Sequence, residues 1–284
     1  MGPLLLLTVA HAEPRLAVRE GLECGTCHVN HTGGGMRTDY GSSFGTTTVS
    51  TFKAPGSFDP WIGERVKVGM DLRLDLTTQL ETDTELDGLE RHLDPQMSFE
   101  VPVGNLFLLM DAVPGRLSLY LDQTVAPEGA SAREAWIQVE DDSGLYLKAG
   151  RMLLPYGLRL PDDRAFIRQQ TGFTYANQDL GVELGLDRRH LLAALAVSNG
   201  NGGGADPNLA KQLTGTVAAV APWGRLGASF AWNDTSTLDL EYKTATGGVH
   251  GGLRVGRFYQ LVEGDWIRGT STTETYDQWA FYSE

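Results

Sequence analysis

The chain has 284 residues, of which 41% are hydrophobic, and a formal net charge of -13 at pH 7. This length is sufficient for one large domain or two ordinary ones with a full core. The acidic balance, without clustered Lys and Arg, argues against a nucleic-acid partner, because phosphate contacts require such clusters. The 35 glycines and the dispersed aromatic residues are typical of an all-β protein with many turns.

Residues 1–12 contain the apolar run LLLLTV followed by Ala-His-Ala at 10–12, a small-x-small pattern typical of a signal-peptide cleavage site. The basic region that usually precedes such a run is absent. We therefore interpret residues 1–12 as an incomplete signal peptide, with a buried N-terminal strand as the alternative. No later window of about 18 apolar residues predicts a transmembrane helix.

Residues 24–28 read CGTCH and match CxxCH, the attachment motif for c-type haem. The thiols of Cys24 and Cys27 can form thioethers to haem vinyl groups, and His28 can ligate the iron as the proximal ligand. The chain has two cysteines in all, so none remains for a disulfide or a second haem. A thioredoxin-like dithiol is the alternative, but it requires a βαβ context that the sequence lacks. The motif predicts one haem c. Because c-type haem is attached on the far side of the inner membrane, the motif also predicts that the chain is exported.

The motif leaves the second axial position of the iron open. Met36 follows the three glycines at 33–35, a flexible hinge that can bring the thioether over the haem, and we take it as the candidate distal ligand. Packing of Met36 against the haem edge is an equally good interpretation. His31 is too close to His28 in sequence to reach the opposite face.

We assign residues 13–60 to a monohaem cytochrome c segment and residues 61–284 to a β-barrel. Residues 66–76, VKVGMDLRLDL, alternate apolar and polar side chains, which predicts a strand with one apolar face. The alternation recurs often enough to predict about twelve strands. The others lie near 97–101, 117–122, 134–139, 145–150, 180–187, 191–197, 213–219, 226–232, 253–255, 262–266 and 279–282.

The predicted connections alternate in length along the chain. Tight turns are expected near 113–115, 141–144, 187–189, 222–224 and 255–256, and long loops at 77–95, 125–132, 152–178, 199–211, 233–247 and 269–275. This alternation is the signature of an outer-membrane barrel with short periplasmic turns and long extracellular loops. A soluble β-sandwich, the alternative for any single strand, has no reason to segregate its loops. Because a long loop follows the first strand, that strand rises from the periplasm and leaves the haem segment at the periplasmic end or in the lumen.

Acidic residues outnumber basic ones on the predicted inward face, so the lumen is expected to concentrate cations. The acidic set is Asp71, Asp75, Glu100, Asp122, Glu134, Glu183, Asp187, Glu263 and Asp265, and the basic set is Lys67, Arg73, Lys148 and Arg225. Two loops are also of interest. The first carries Glu81, Asp83, Glu85 and Asp87, which either recruit a hard cation or are simply solvated. The other, with Tyr156, Arg159, Asp162, Asp163, Arg164 and Arg168, is expected to fold into the lumen as a constriction.

The chain resembles the bacterial outer-membrane cytochrome-porin fusions, in which a single-haem segment precedes a porin barrel. The resemblance rests on residues 24–28, on the continuation VNHTGGGMR with Tyr40-Gly41, and on the porin-like GRMLLPYG at 150–157. It implies electron transfer across the outer membrane, with oxidation of extracellular ferrous iron. The chain is shorter than that pattern, and its last strand lacks a terminal aromatic residue, which is consistent with a barrel truncated at Glu284.

The leading hypothesis is therefore an electron conduit in the outer membrane. It would pass electrons from an extracellular donor such as Fe(II) to a periplasmic c-type cytochrome, as an electron-transfer protein with iron oxidase activity. No catalytic triad or dinucleotide loop is recognisable. The alternatives are a solute porin whose haem segment is a structural plug or redox sensor, and a secreted soluble cytochrome.

Overall fold

A computed structural model describes residues 14–50, 59–84, 91–127, 129–160, 163–206, 208–237 and 241–284, with side chains omitted at 79–84 and 91–96. The predicted signal peptide at 1–12 lies outside these ranges. Within them, thirteen strands form one antiparallel sheet whose order follows the sequence. The strands are β1 Trp61–Ile62, β2 Val66–Thr84, β3 Arg91–Val113, β4 Leu117–Ala126, β5 Ser131–Glu140, β6 Leu145–Leu153, β7 Gln178–Arg188, β8 Leu191–Ser198, β9 Gln212–Ala221, β10 Gly224–Asp234, β11 Tyr242–Val255, β12 Phe258–Ser271 and β13 Thr275–Ser283.

The alternation of side chains along each strand separates an apolar outer face from a polar inner face. In β10, Leu226 and Phe230 are 70% and 45% exposed, whereas their neighbours Arg225 and Ser229, on the other face of the strand, are 9% and 6% exposed. A soluble sandwich would bury the large apolar residues, so that alternative is wrong. An apolar exterior around a polar interior is the arrangement that a bilayer requires. The fold is that of an all-β transmembrane antiparallel barrel, as predicted.

The sheet curves around an occupied interior. One buried cluster joins Phe107 of β3 and Trp136 of β5 to Ala231 of β10, although β10 is far from the other two strands in the sheet. Among the described residues, β1 pairs with β2 alone and β13 with β12 alone, so the ladder has no pair that joins its two ends.

Several strands are longer than the sequence predicts. β2 and β3 remain paired as far as Thr84 and Arg91, so most of the loop expected at 77–95 is a hairpin. β11 begins at Tyr242, within the loop expected at 233–247. These extensions carry few large apolar residues, because cross-strand hydrogen bonds can continue beyond the apolar band without them. The tight turns lie where they were expected, and we call that rim of the barrel the short-turn end.

Residues 14–50, the N-terminal segment, form α1 Pro14–Glu20, α2 Cys24–Cys27, α3 Asp39–Phe44 and a π-helical turn Gly45–Val49. A fourth helix, α4 Phe166–Thr171, lies in the connection between β6 and β7. No helix in the described ranges is both long enough and apolar enough to cross a membrane.

The N-terminal segment occupies the lumen at the short-turn end. Arg254, at the end of β11, donates a hydrogen bond to the carbonyl of Arg19. On other walls, Lys67 Nζ of β2 donates to Asp39 Oδ1 at 2.6 Å, and the Met36 amide donates to Tyr120 Oη of β4 at 2.9 Å. These contacts come from widely separated strands, so the barrel surrounds the segment.

The connection at 154–160 and 163–177, which we call the inner loop, also folds into the barrel. Tyr156 Oη donates to Asp265 Oδ1 of β12 at 2.8 Å, and the Gly157 amide donates to Ser229 Oγ of β10 at 2.9 Å. Arg168 of α4 is buried in an ion pair with Glu263. The inner loop therefore takes the lumen position predicted for it.

Candidate functional site

The CxxCH motif forms one turn of helix that ends at His28. In α2, Cys24 and Cys27 are three residues apart, a spacing that puts two side chains on the same helix face. The His28 amide donates to the Cys24 carbonyl at 3.0 Å, and His28 itself is extended. Both thiols are free and partly exposed. The turn can therefore present two thiols and the imidazole to one ligand.

A short antiparallel pairing fixes the motif against the residues that follow. His28 bridges to Arg37, the Val29 amide donates to the Met36 carbonyl at 2.9 Å, and the Thr38 amide donates to the Cys27 carbonyl at 3.0 Å. The glycines at 33–35 have φ of +94°, +88° and +65°. Residues other than glycine rarely adopt a positive φ, so the three glycines allow the chain to reverse direction here.

The motif faces a pocket between the N-terminal segment, the inner loop and the barrel wall. The empty space among its lining atoms, including the part open to solvent, is ≈ 980 Å³. Cys24, Cys27 and His28 line it together with Tyr156 and Leu158 of the inner loop. The pocket is thus built from three parts of the chain, of which the motif contributes only one.

The lining also includes three arginines and two glutamates, namely Arg37, Arg159, Arg225, Glu20 and Glu23. Arg225 Nη1 lies 3.6 Å from Cys24 Sγ, so this cation directly adjoins the motif.

Burial controls the protonation of the motif. It lowers the pKa of His28 to about 4, helped by the nearby Arg37 charge. The His28 imidazole is therefore neutral at physiological pH, which is the form that ligates a metal. Its Nδ1 atom is buried and makes no hydrogen bond of normal geometry, although the Gly34 and Gly35 backbone lies near enough to favour protonation slightly. Burial also raises the pKa of the Cys27 thiol.

These residues fit a covalently attached haem. Cys24 and Cys27 would supply the thioethers and His28 the axial imidazole, and the apolar lining would cover part of the ring. In the described part of the chain, no three His, Cys, Asp or Glu side chains converge on a separate metal site.

Met36 lies outside this pocket lining. Its side chain is 3% exposed and packs in the cluster with Phe107, Tyr120 and Trp136. The structure thus does not bring Met36 together with His28 across the pocket. Its role as distal ligand stays a prediction that this packing does not favour.

His31 has a role that the sequence did not indicate. Its imidazole stacks on Tyr146 with ring centroids 4.4 Å apart, and its Nδ1 lies 2.7 Å from Asp187 Oδ2. Its Nε2 lies 3.4 Å from Glu140 Oε2. Burial disfavours the charged imidazole, but the hydrogen bonds to these two carboxylates outweigh burial and raise the pKa of His31 to about 9. His31 therefore fastens the N-terminal segment to β5 and β7.

Several of the inward-facing acids pair with cations inside the barrel. Lys148 Nζ lies 2.7 Å from Glu183 Oε1, and Arg133 Nε donates to Asp122 Oδ2 at 2.8 Å. Lys148 and Glu183 are completely buried. These pairs make the net negative charge of the lumen smaller than the count of acidic residues suggests. The loop acids at 81–87 lie outside the described side chains.

No protein-family model and no curated protein match the chain. Among solved structures, it is similar to the outer-membrane protein OmpT of Vibrio cholerae. The in-vitro folded OmpT has 10% identity and a TM-score of 0.44, over 80% of this chain and 83% of that one. The outer-membrane expressed form has 10% identity and a TM-score of 0.42, over 79% and 83%. A loop L8 deletion mutant has 10% identity and a TM-score of 0.40, over 78% and 88%. The similarity concerns the fold alone.

Proposed function

We propose that this protein carries electrons across the bacterial outer membrane through one c-type haem held by Cys24, Cys27 and His28. The donor is extracellular Fe(II) or another extracellular reductant, and the acceptor is a periplasmic c-type cytochrome or a similar redox protein. The haem supplies a site that cycles between ferric and ferrous states, accepting one electron for each Fe(II) oxidised to Fe(III). The protein's residues bind and insulate that site.

The observation that carries the proposal is the position of CxxCH inside the barrel. Cys24, Cys27 and His28 line a lumen pocket, and Tyr156 and Leu158 of the inner loop line it too. A soluble electron shuttle gains nothing from such an enclosure. A redox centre enclosed by a barrel, in contrast, is insulated from lipid and lies on the path between the two aqueous phases.

The filling of the lumen supports a conduit over a solute porin. The N-terminal segment contacts walls on different sides of the lumen, through Asp39 to Lys67 of β2 and through His31 to Asp187 of β7. The inner loop is fixed separately by the buried pair of Arg168 and Glu263. Solute passage would require displacement of both elements, whereas electron transfer requires neither to move.

The direct test is reduction of the purified protein by Fe(II) under anaerobic conditions. We expect covalent haem that survives denaturing electrophoresis, a ferrous absorbance spectrum after Fe(II) addition, and reoxidation by a small c-type cytochrome. The Cys24→Ser, Cys27→Ser variant should lack both haem and response, and Thr26→Ser, within the same turn, should retain both. Haem-loaded protein that neither accepts electrons from Fe(II) nor donates them to the cytochrome would contradict the proposal.

A second measurement separates the conduit from the porin. In planar bilayers we expect no stable open-channel current from the complete protein. Deletion of residues 14–50 removes one of the two elements that fill the lumen, so it should raise the ion conductance above that of the complete protein while preserving the sheet. A steady ion conductance from the haem-loaded, undeleted protein would favour the porin.

A further inference from the structure

Three successive turns at the short-turn end carry exposed arginine and aromatic side chains. Arg189 lies in the turn between β7 and β8, and Trp223 lies in the turn between β9 and β10. Arg254, Arg257 and Phe258 lie at the turn between β11 and β12. All five residues are exposed, Trp223 by 65% and Phe258 by 83%. We call these five residues the basic rim.

The three guanidinium groups of the basic rim have no carboxylate partner among the described residues. Arg254 donates to two backbone carbonyls, those of Arg19 and Gly256. Arg189 and Arg257 form no hydrogen bond or ion pair within the described ranges. The three turns, at 189–190, 222–223 and 256–257, contain no acidic residue, although the chain as a whole has a net charge of -13. The local excess of cations is therefore free to pair with an external anionic group.

The basic rim has the dimensions and composition of a protein-binding surface. Neighbouring turns at one end of a barrel lie two strands apart, or about 10 Å, so three turns span about 20 Å. The Arg254 amide donates to the Trp223 carbonyl at 2.8 Å, which joins two of the turns directly. A typical protein interface covers about 800 Å² on each partner, which is a patch roughly 30 Å across. Tryptophan and arginine are enriched among the residues that contribute most to such interfaces.

The basic rim adjoins the wall of the pocket that contains the CxxCH motif. Glu23 lines that pocket. Burial raises the pKa of Glu23, and the nearby charge of Arg189 opposes that rise. At the next turn, Gly21 packs so closely on Pro222 that a Cβ at Gly21 would lie 2.7 Å from the Pro222 Cα. A partner bound to the basic rim would therefore lie beside the pocket.

Resting on the proposed function, we propose that the basic rim is the docking surface for the electron acceptor, and that this acceptor is a protein with an acidic face. Carboxylates on that face would pair with the guanidinium groups of Arg189, Arg254 and Arg257. Such charge complementarity accelerates encounter and orients the partner. Anionic lipid headgroups would lie along the outer wall of the barrel, whereas Arg189 acts on Glu23 in the lumen. The geometry therefore favours a protein over a lipid.

The test measures the binding of two forms of one small c-type cytochrome to the full chain in nanodiscs of uncharged lipid. One form is an unmodified lysine-rich cytochrome, and the other is the same protein after succinylation, which makes its surface acidic. The variant is Arg189→Gln with Arg257→Gln. The matched control is Lys211→Gln with Lys243→Gln, which removes two positive charges at the opposite end of the barrel. Heat-modifiable electrophoretic migration shows that each barrel is folded.

We expect the rim variant to bind the succinylated cytochrome roughly tenfold more weakly at low ionic strength, and the control variant to bind it as the parent does. The loss should shrink as salt is added, because exposed charges are then screened. Arg189→Lys with Arg257→Lys keeps both charges and should retain most of the affinity. Trp223→Ala should weaken binding at every ionic strength, whereas Trp232→Ala, near the other end of β10, should not.

Equal affinity of the parent and the rim variant for the succinylated cytochrome would overturn the inference, and so would a parent that does not bind it at low salt. A rim variant that loses binding to short-chain anionic phospholipid but not to the cytochrome would identify a lipid site and would also overturn it. Binding does not require haem in this chain. A parent that binds the succinylated cytochrome but lacks covalent haem would instead refute the proposed function, and its absorbance spectrum separates the two failures.

Discussion

Loss of the Lys148 ammonium group should be among the most damaging single changes in the barrel. Its Nζ lies 2.7 Å from Glu183 Oε1, both side chains are completely buried, and the Tyr146 hydroxyl donates to the same oxygen at 2.9 Å. Glu183 Oε2 has no hydrogen-bond partner within the described structure. In Lys148→Met, the carboxylate would keep one neutral donor and lose its counter-ion.

Removing one partner from a buried ion pair costs about 3–5 kcal/mol, because it leaves an unpaired charge in a low-dielectric site. Total stabilities of about 5–15 kcal/mol are typical, so this is a large fraction. Glu183→Gln should also destabilise the barrel, because it leaves the buried Lys148 ammonium group without its counter-ion. The double variant, Lys148→Met with Glu183→Gln, contains neither charge and should cost less than the sum of the single variants by about 1–3 kcal/mol.

The assay is urea unfolding of each variant in detergent micelles, followed by tryptophan fluorescence and analysed by linear extrapolation. The control is Lys243→Met, which removes a lysine from an exposed pair with Glu241 at 2.5 Å and should leave the unfolding midpoint unchanged. Additive effects of the two buried substitutions would refute the reasoning. So would a Lys148→Met midpoint equal to that of the control.

Three further outcomes follow from other parts of the structure. His31 gains carboxylate partners on folding and its pKa rises from 6.5 to about 9, so its contribution to holding the N-terminal segment is complete below about pH 6.5 and is lost as pH rises through about 9. Proteolysis of that segment should accelerate over this range, and His31→Gln should remove the dependence. Gly150→Ala should cost about 1–3 kcal/mol, because Gly150 has φ of +137° and a Cβ there would lie 2.3 Å from the Ala135 carbonyl oxygen. Gly247→Ala, where a Cβ meets nothing within 4 Å, should be tolerated in the same unfolding assay. Met36→Leu should leave the haem absorbance spectrum unchanged, because Met36 packs among aromatic side chains; loss of a thioether-to-iron band would contradict that packing.

The barrel could be predicted from sequence because its signal is local. Each membrane-facing strand shows the alternation of apolar and polar side chains within its own sequence, as residues 66–76 do. The turns at one end of the strands are short. The extended β2–β3 hairpin could not be predicted in the same way. Its outer part, near Thr84 and Arg91, is stabilised by backbone pairing that leaves no apolar pattern in the sequence.

The pocket residues likewise include some that are close in sequence and some that only the fold brings together. Cys24, Cys27 and His28 are adjacent in sequence, so the motif alone identifies them. Arg159 and Arg225 reach the same pocket from a loop and a distant strand, and only the folded chain brings them together. The sequence did contain partial signals: Arg225 lies on the inward phase of its strand, and Arg159 lies in the loop expected to enter the lumen. Nothing local connected either one to the haem motif.

The contacts of the N-terminal segment also order events during biosynthesis. Asn30 meets Glu134 across 104 residues of chain, His31 meets Asp187 across 156, and Cys24 meets Arg225 across 201. This segment is therefore translated before the strands that anchor it. Its two thiols stay accessible until the barrel wall folds around them. Once the wall encloses the segment, that access is restricted, so the haem attachment proposed for Cys24 and Cys27 would precede barrel assembly.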